Sequence, residues 1–134
     1  MPPLTKLWFI HLKPGIEIQS QAFQQTWTSV VRFCNEQSGA QSAGHSLWQD
    51  TLNPSRLVFI SGYPSQECTD AADARYVQEH MKSMMEHVES DGFIQLNMDV
   101  KDGPYLTLPS SRWQYYLWRQ EPHKMSMRQW SPNL

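Results

Sequence analysis

Apolar residues between Leu4 and Leu12 (LTKLWFIHL) fall on both parities, with Leu7 and Phe9 on one face and Trp8, Ile10 and Leu12 on the other. Such a strand wants both faces covered, and Pro14-Gly15 ends it. His11 shares the parity of Leu7 and Phe9. From about Glu17 to Gln37 the period lengthens: Phe23, Trp27, Val30, Val31 and Cys34 recur at helical spacing, and Ser38-Gly39 closes the helix. A second strand is predicted at His45–Thr51, with His45, Leu47 and Gln49 on one face and Ser46, Trp48 and Asp50 on the other. Asn53-Pro54-Ser55 is a turn of hairpin length, so a third strand, Arg56–Tyr63, pairs antiparallel with the second.

The stretch Ala71–Val100 carries the second helix and the last strand. Val77, Met81, Met84, Met85 and Val88 make an apolar stripe at helical spacing, and Tyr76, His80 and His87 run along one flank of it. Asp91-Gly92 reads as a turn, followed by a strand over Phe93–Val100. Its Ile94, Leu96, Met98 and Val100 face is wholly apolar and is expected to meet the helices. The alternate face, Phe93, Gln95, Asn97 and Asp99, is half polar and is expected to line something wet or functional.

The order β-α-β-β-α-β predicts an α+β, ferredoxin-like domain with an antiparallel sheet over residues 1–101. Two helices cover one face of that sheet, and a second copy is the simplest cover for the other. Residues 102–134 form a C-terminal extension in which Tyr105, Trp113, Tyr115, Tyr116, Trp118 and Trp130 sit among prolines. So aromatic a segment is expected to pack on the domain or on its dimer partner rather than hang free.

Composition narrows the classes. The chain has 134 residues, a formal charge of −2 and two cysteines, so neither nucleic acid nor a disulfide framework is expected. No apolar run approaches the roughly 20 residues of a membrane span, and the N-terminus lacks the features of a signal peptide. A cytoplasmic protein is the expectation. Cys34 reads as a small core residue. Cys68 falls in a predicted loop beside Glu67 and Asp70, whose charges would raise its thiol pKa. His80 and His87 lie two helical turns apart, about 10 Å, too far to share an ion. With no HxxxH, HExxH or CxxC spacing, no metal is expected. Six glycines without a phosphate-binding fingerprint give no nucleotide site.

With the element order in hand, the first-strand phrase KLWFIHLKPG and the second-helix phrase ARYVQEHMKSMMEHV resemble the dimeric α/β-barrel superfamily. That group holds the antibiotic-biosynthesis monooxygenases, the EthD-type proteins and the stress-responsive A/B-barrel proteins with their polyketide-cyclase relatives. His80 matches the histidine common in these families after the opening aromatic of the second helix. The resemblance, over roughly residues 4–100, implies a homodimer whose paired sheets close a barrel, with a pocket between sheet and helices in each protomer. It implies tailoring of aromatic or polyketide metabolites without a cofactor.

Acid–base chemistry is the best remaining fit, since histidine titrates near neutrality. His80 is the candidate base. Tyr76, one turn away, is the candidate oxygen-binding partner, and His11 is a second candidate. The plain alternative makes His80 a flank residue bonded to backbone and Tyr76 and His11 core. His45 and His87 are weaker candidates. Trp8, Trp48, Phe59 and Tyr63 are the expected aromatic wall, with Met84, Gln95 and Asn97 as further substrate contacts. Three readings follow. One is a cofactor-independent enzyme that cyclises, isomerises or decarboxylates a polyketide-like or aromatic substrate. Another is a cofactor-free monooxygenase, and the last a non-catalytic dimeric ligand-binding or stress-associated protein.

Overall fold

A computed structural model describes residues 3–38, 45–100 and 127–130. The elements are β1 (Leu4–Leu12), α1 (Gln21–Ser38), β2 (His45–Asp50), β3 (Arg56–Tyr63), α2 (Gln66–Glu79), α3 (Met81–Met85), β4 (Val88–Leu96) and β5 (Met127–Trp130). The strands form one antiparallel sheet in the order β4-β1-β3-β2-β5. Its first four strands have the ferredoxin-like arrangement expected from the element order. The fifth, from the C-terminal extension, pairs with the free edge of β2. It brings Trp130 against Phe23 with ring centroids 5.7 Å apart. The extension's other aromatics and the domain boundary at 101 lie outside the described residues.

Directly opposed residues of antiparallel strands share a face, so the register sorts the side chains. On the side of the helices lie Trp8, Ile10 and Leu12 of β1, Leu57 and Phe59 of β3, and Leu47 of β2, packed with Phe23, Trp27 and Val30 of α1. On the outer side, Leu7 opposes Ile60 and Phe9 opposes Val58, and these four are buried in a cluster with Trp48, Leu96 and Val100. That burial exists within one chain, so the centre of the outer face is covered without a second copy. The crossing of Val100 over Gly62 is close: a Cβ built on Gly62 would stand 2.5 Å from Val100 Cγ1. Only glycine leaves room for that approach.

The last third of the domain departs from the sequence reading in three ways. Helix α2 begins at Gln66, not Ala71, because Ser65 caps it, accepting from the Cys68 backbone N–H at 3.1 Å. Cys68 is therefore in the first turn of a helix, and burial, rather than its acidic neighbours, raises its thiol pKa. The helix then breaks at His80, whose φ is −131°. A stripe projected across one continuous helix is thus divided. Met84 and Val88 are buried, but Val77 is 56% exposed and Met81 39%.

The third departure is β4, which starts at Val88 rather than Phe93. Asp91-Gly92 is not a turn between elements but a bulge inside the strand. Phe9 opposes Gly92 and Ile10 opposes Ser90, leaving Asp91 without a partner in the ladder. Gly92 carries φ +116°, a conformation that glycine tolerates and other residues resist. The register also inverts the expected faces. Ile94 and Leu96 oppose Leu7 and Thr5 on the outer side, whereas Phe93 and Gln95 oppose Trp8 and Lys6 and look toward α2.

Candidate functional site

A cavity of about 430 Å3 lies between the helix side of the sheet and the helices. Strand parity supplies its floor: Lys6 and Trp8 from β1 and Phe59, Ser61 and Tyr63 from β3. Helix α1 contributes Val30, Phe33 and Cys34. From α2 come Ala72, Asp73, Tyr76 and Val77, whose spacing places them on one face of that helix. Met81 and Met85 follow beyond the break at His80, and the bulge in β4 turns both Ser90 and Phe93 inward. Phe93 is 65% exposed and, with Val77 and Met81, gives the wall exposed apolar members. The lining is predominantly aromatic and aliphatic, the usual character of a small-molecule site.

Most polar groups on the wall are already engaged. Ser90 Oγ accepts from Trp8 Nε1 at 2.9 Å, and Ser61 Oγ bonds His45 Nδ1 at 2.5 Å. Burial pushes the Cys34 thiol up to about 11, and burial first, then the neighbouring Cys34, raises Tyr63. Both stay neutral near pH 7. Lys6 and Asp73 are the only charged side chains among the described wall residues. Lys6 Nζ donates to Asp73 Oδ2 at 2.6 Å and lies 5.5 Å from the centre of the Phe93 ring.

Of the residues singled out from sequence, Trp8, Phe59, Tyr63 and Tyr76 reach this wall. Tyr76 does so with its ring, set edge-on to Trp8 at 6.3 Å. Its hydroxyl is buried, has no hydrogen-bond partner among the described residues, and is held protonated chiefly by that burial. His80 stands behind Tyr76, its ring stacked on the tyrosine at 6.4 Å and 4.6 Å from Phe33, and is not a wall residue. His11 lies on the opposite side of the sheet, because it has the Phe9 parity. There its Nδ1 meets Asp91 and its Nε2 meets Glu89, each at 2.9 Å. The structure therefore does not bring His11 to Tyr76 and His80.

Trp48 is likewise on the outer side, in the Leu7 cluster. Met84 is fully buried beneath the core rather than on the wall. Gln95 faces α2 but bonds Gln66 at 2.7 Å, and Asn97 lies exposed beyond the end of β4. His45 sits between Ser61 and Ser38, and burial lowers its pKa to about 4. His87 Nε2 meets Thr26 Oγ1 at 3.2 Å under the edge of Phe23.

The sequence did not single out Lys6, Asp73 or Phe33, whereas Phe93 was on the strand face expected to line something functional and does line the cavity. Lys6 carried a signal, being the one charge on the Trp8 parity of a strand covered on both sides. Asp73 carried a fainter one, three residues before Tyr76. Among the described residues no group of three or more histidines, cysteines or acids is placed to hold a metal ion. No described helix is long and apolar enough to cross a membrane.

No protein-family model matches this chain, and no curated protein matches it. Among solved structures it is similar to SnoaB, a cofactor-independent oxygenase from Streptomyces nogalater. That match has 12% identity and a TM-score of 0.49 over 70% of this chain and 92% of the other. It is also similar to a Chloroflexus aurantiacus J-10-fl protein provisionally assigned as an antibiotic biosynthesis monooxygenase, at 13% identity and a TM-score of 0.46 over 71% and 91% of the two chains. A conserved protein from Methanosarcina mazei Go1 matches at 12% identity and a TM-score of 0.47, over 74% and 95%. The likeness is one of fold.

Proposed function

We propose that the helix-side cavity binds a planar, mostly apolar aromatic molecule of polyketide-like character. In this reading the protein is a small enzyme that acts on the molecule by acid–base chemistry with its own side chains. The observation that supports the reading is the wall itself: rings of Trp8, Phe33, Phe59, Tyr76 and Phe93 around one ion pair. Rings of this kind bury a flat ligand well, and a few placed polar groups orient it. Tyr76 acts through its ring. His80, stacked behind that ring, is a positioning residue that keeps it against the cavity.

The test is binding of 2-naphthol followed by amide chemical shifts. Perturbations centred on Asp73, Val77 and Phe93 are expected, and Ala72→Phe, which fills the cavity from α2, should abolish them. Binding centred elsewhere, or unaffected by Ala72→Phe, would overturn the assignment. An oxygen electrode run with the same probe separates the chemistry, since uptake would assign an oxygenase and its absence keeps proton transfer.

A further inference from the structure

Lysine on the covered side of a central strand is an uncommon choice, because its charge loses water there and needs a partner. Lys6 occupies such a place, with β3 and β4 on either side of it and a side chain only 16% exposed. Asp73 reaches across from α2 to meet it, and its own side chain is 57% exposed. The cation is thus held inside the site while the carboxylate faces the opening. Asp73 lies one helical turn before Tyr76 and lines the same cavity with it and Lys6, so a ligand held there meets both the ring wall and the pair. Only Asp73 Oδ2 is engaged by Lys6. Oδ1 has no hydrogen bond among the described residues, and the ammonium has two further N–H groups to give.

We propose that Lys6 and Asp73 form a proton-transfer dyad, with Asp73 the base and Lys6 the oxyanion binder, for an aromatic ligand carrying an enolisable carbonyl. The inference rests on the reading of the cavity as a ligand site. Asp73 Oδ1 takes the proton from a carbon next to the carbonyl. The electron pair of the broken C–H bond becomes the C=C bond of an enolate, and the carbonyl π pair moves onto oxygen. Lys6 donates an N–H to that oxygen. The acid proton on Asp73, whose side chain is 57% exposed, trades with solvent water. Delivery of the solvent-derived proton to the same carbon exchanges the ligand's hydrogen, and delivery to another position of the enolate isomerises it, with water the sole exchange partner. As Asp73 loses its charge the enolate gains one, so Lys6 keeps a counter-ion throughout. A preplaced cation in a site of low polarity acts most strongly where charge develops.

Deuterium exchange tests the dyad. 2-Tetralone is incubated with the protein in D2O, and loss of the C1 proton signal is followed by NMR, with binding read from ligand saturation transfer. Wild-type protein is expected to speed exchange on the order of 100-fold over buffer. Asp73→Asn should return the rate to that of buffer while binding persists, Asp73→Glu should retain part of it, and Lys6→Met should lose most of it. Exchange undiminished in folded Asp73→Asn, or bound 2-tetralone that exchanges no faster than in buffer, overturns the dyad and leaves the cavity assignment standing. Failure of the wild-type protein to bind 2-tetralone overturns both. Exchange lost in His80→Gln but kept in Asp73→Asn would move the base to His80.

Discussion

On the outer side of the sheet Leu7, Val58 and Ile60 are closed off almost completely, while on the other side Trp8, Phe59 and Lys6 of the same two strands front a cavity of about 430 Å3. The contrast arises from what each side meets. Outer residues oppose one another across the ladder in a regular register, Leu7 with Ile60 and Phe9 with Val58, and pack with Trp48, Leu96 and Val100. The inner side meets helices. Beside α1 it fills solidly around Phe23, Trp27 and Met84, but α2 ends at His80 and α3 starts on a new course. The space beneath that break is bounded by large rings and left unfilled. The outer parity is closed at its centre, while the inner parity is shared between the main core beside α1 and the cavity.

The sharpest way to break this comparison is a pair of truncations. Leu7→Ala on the outer side is expected to cost about 2–5 kcal/mol in urea unfolding, as for other fully buried leucines. Val77→Ala on the cavity wall should change stability by no more than about 0.5 kcal/mol. Equal costs would mean that the cavity wall is core after all.

A smaller effect is expected at Gly62, where an added Cβ would press on Val100 Cγ1 at 2.5 Å. Gly62→Ala should destabilise by about 1–3 kcal/mol through overpacking, with recovery in the double variant carrying Val100→Ala. No recovery would show that the clash is relieved by backbone movement instead.

The smallest effect sharpens the comparison electrostatically, because a histidine on each side titrates in the opposite direction. On the outer side the hydrogen bond to Asp91, chiefly, raises the pKa of His11 above its ordinary 6.5. Its stabilisation is therefore complete below 6.5 and is lost as pH rises through the higher folded value. For so exposed an ion pair the contribution is about 0.2–1 kcal/mol. On the inner side burial lowers His45 from 6.5 to about 4. Its neutral form supports the fold above 6.5, and that support drains away as pH falls from 6.5 toward 4. Ring-carbon NMR titration should place the two midpoints on opposite sides of 6.5. The melting-temperature loss in His11→Ala should be larger near pH 5 than near pH 9. Coincident midpoints would remove the distinction.

Much of the fold was legible because its signals are local. Apolar residues on both parities marked β1 as a strand covered on two faces, and proline with a short hairpin link bounded β2 and β3. The 3.6-residue period of Phe23, Trp27 and Val30 marked α1. The α2–β4 region was less legible because three non-local or geometric facts decide it. Ser65 starts the helix early, His80 adopts a backbone angle that no proline or glycine announces, and Asp91 bulges out of a ladder whose register is set by β1. Shifting a strand by one residue exchanges its faces, which is why Phe93 rather than Ile94 looks into the cavity. The site was legible only in its aromatic half. Trp8, Phe59, Tyr63 and Tyr76 stand out by residue type and parity, whereas His11 and Trp48 have suitable chemistry on the wrong parity.

Lys6 and Asp73 lie 67 positions apart in the chain, and nothing in either neighbourhood calls for the other. The amino-acid sequence by itself determined the β-α-β-β-α-β order and the period of apolar positions within those elements, but not β5 or the break before α3. Those properties follow from backbone preference and side-chain period over a few residues. Only the tertiary structure decided which parity meets the helices, where the inner layer leaves room, and which two charges meet there. Each of these depends on register and on helix course, which only packing across the whole chain can set.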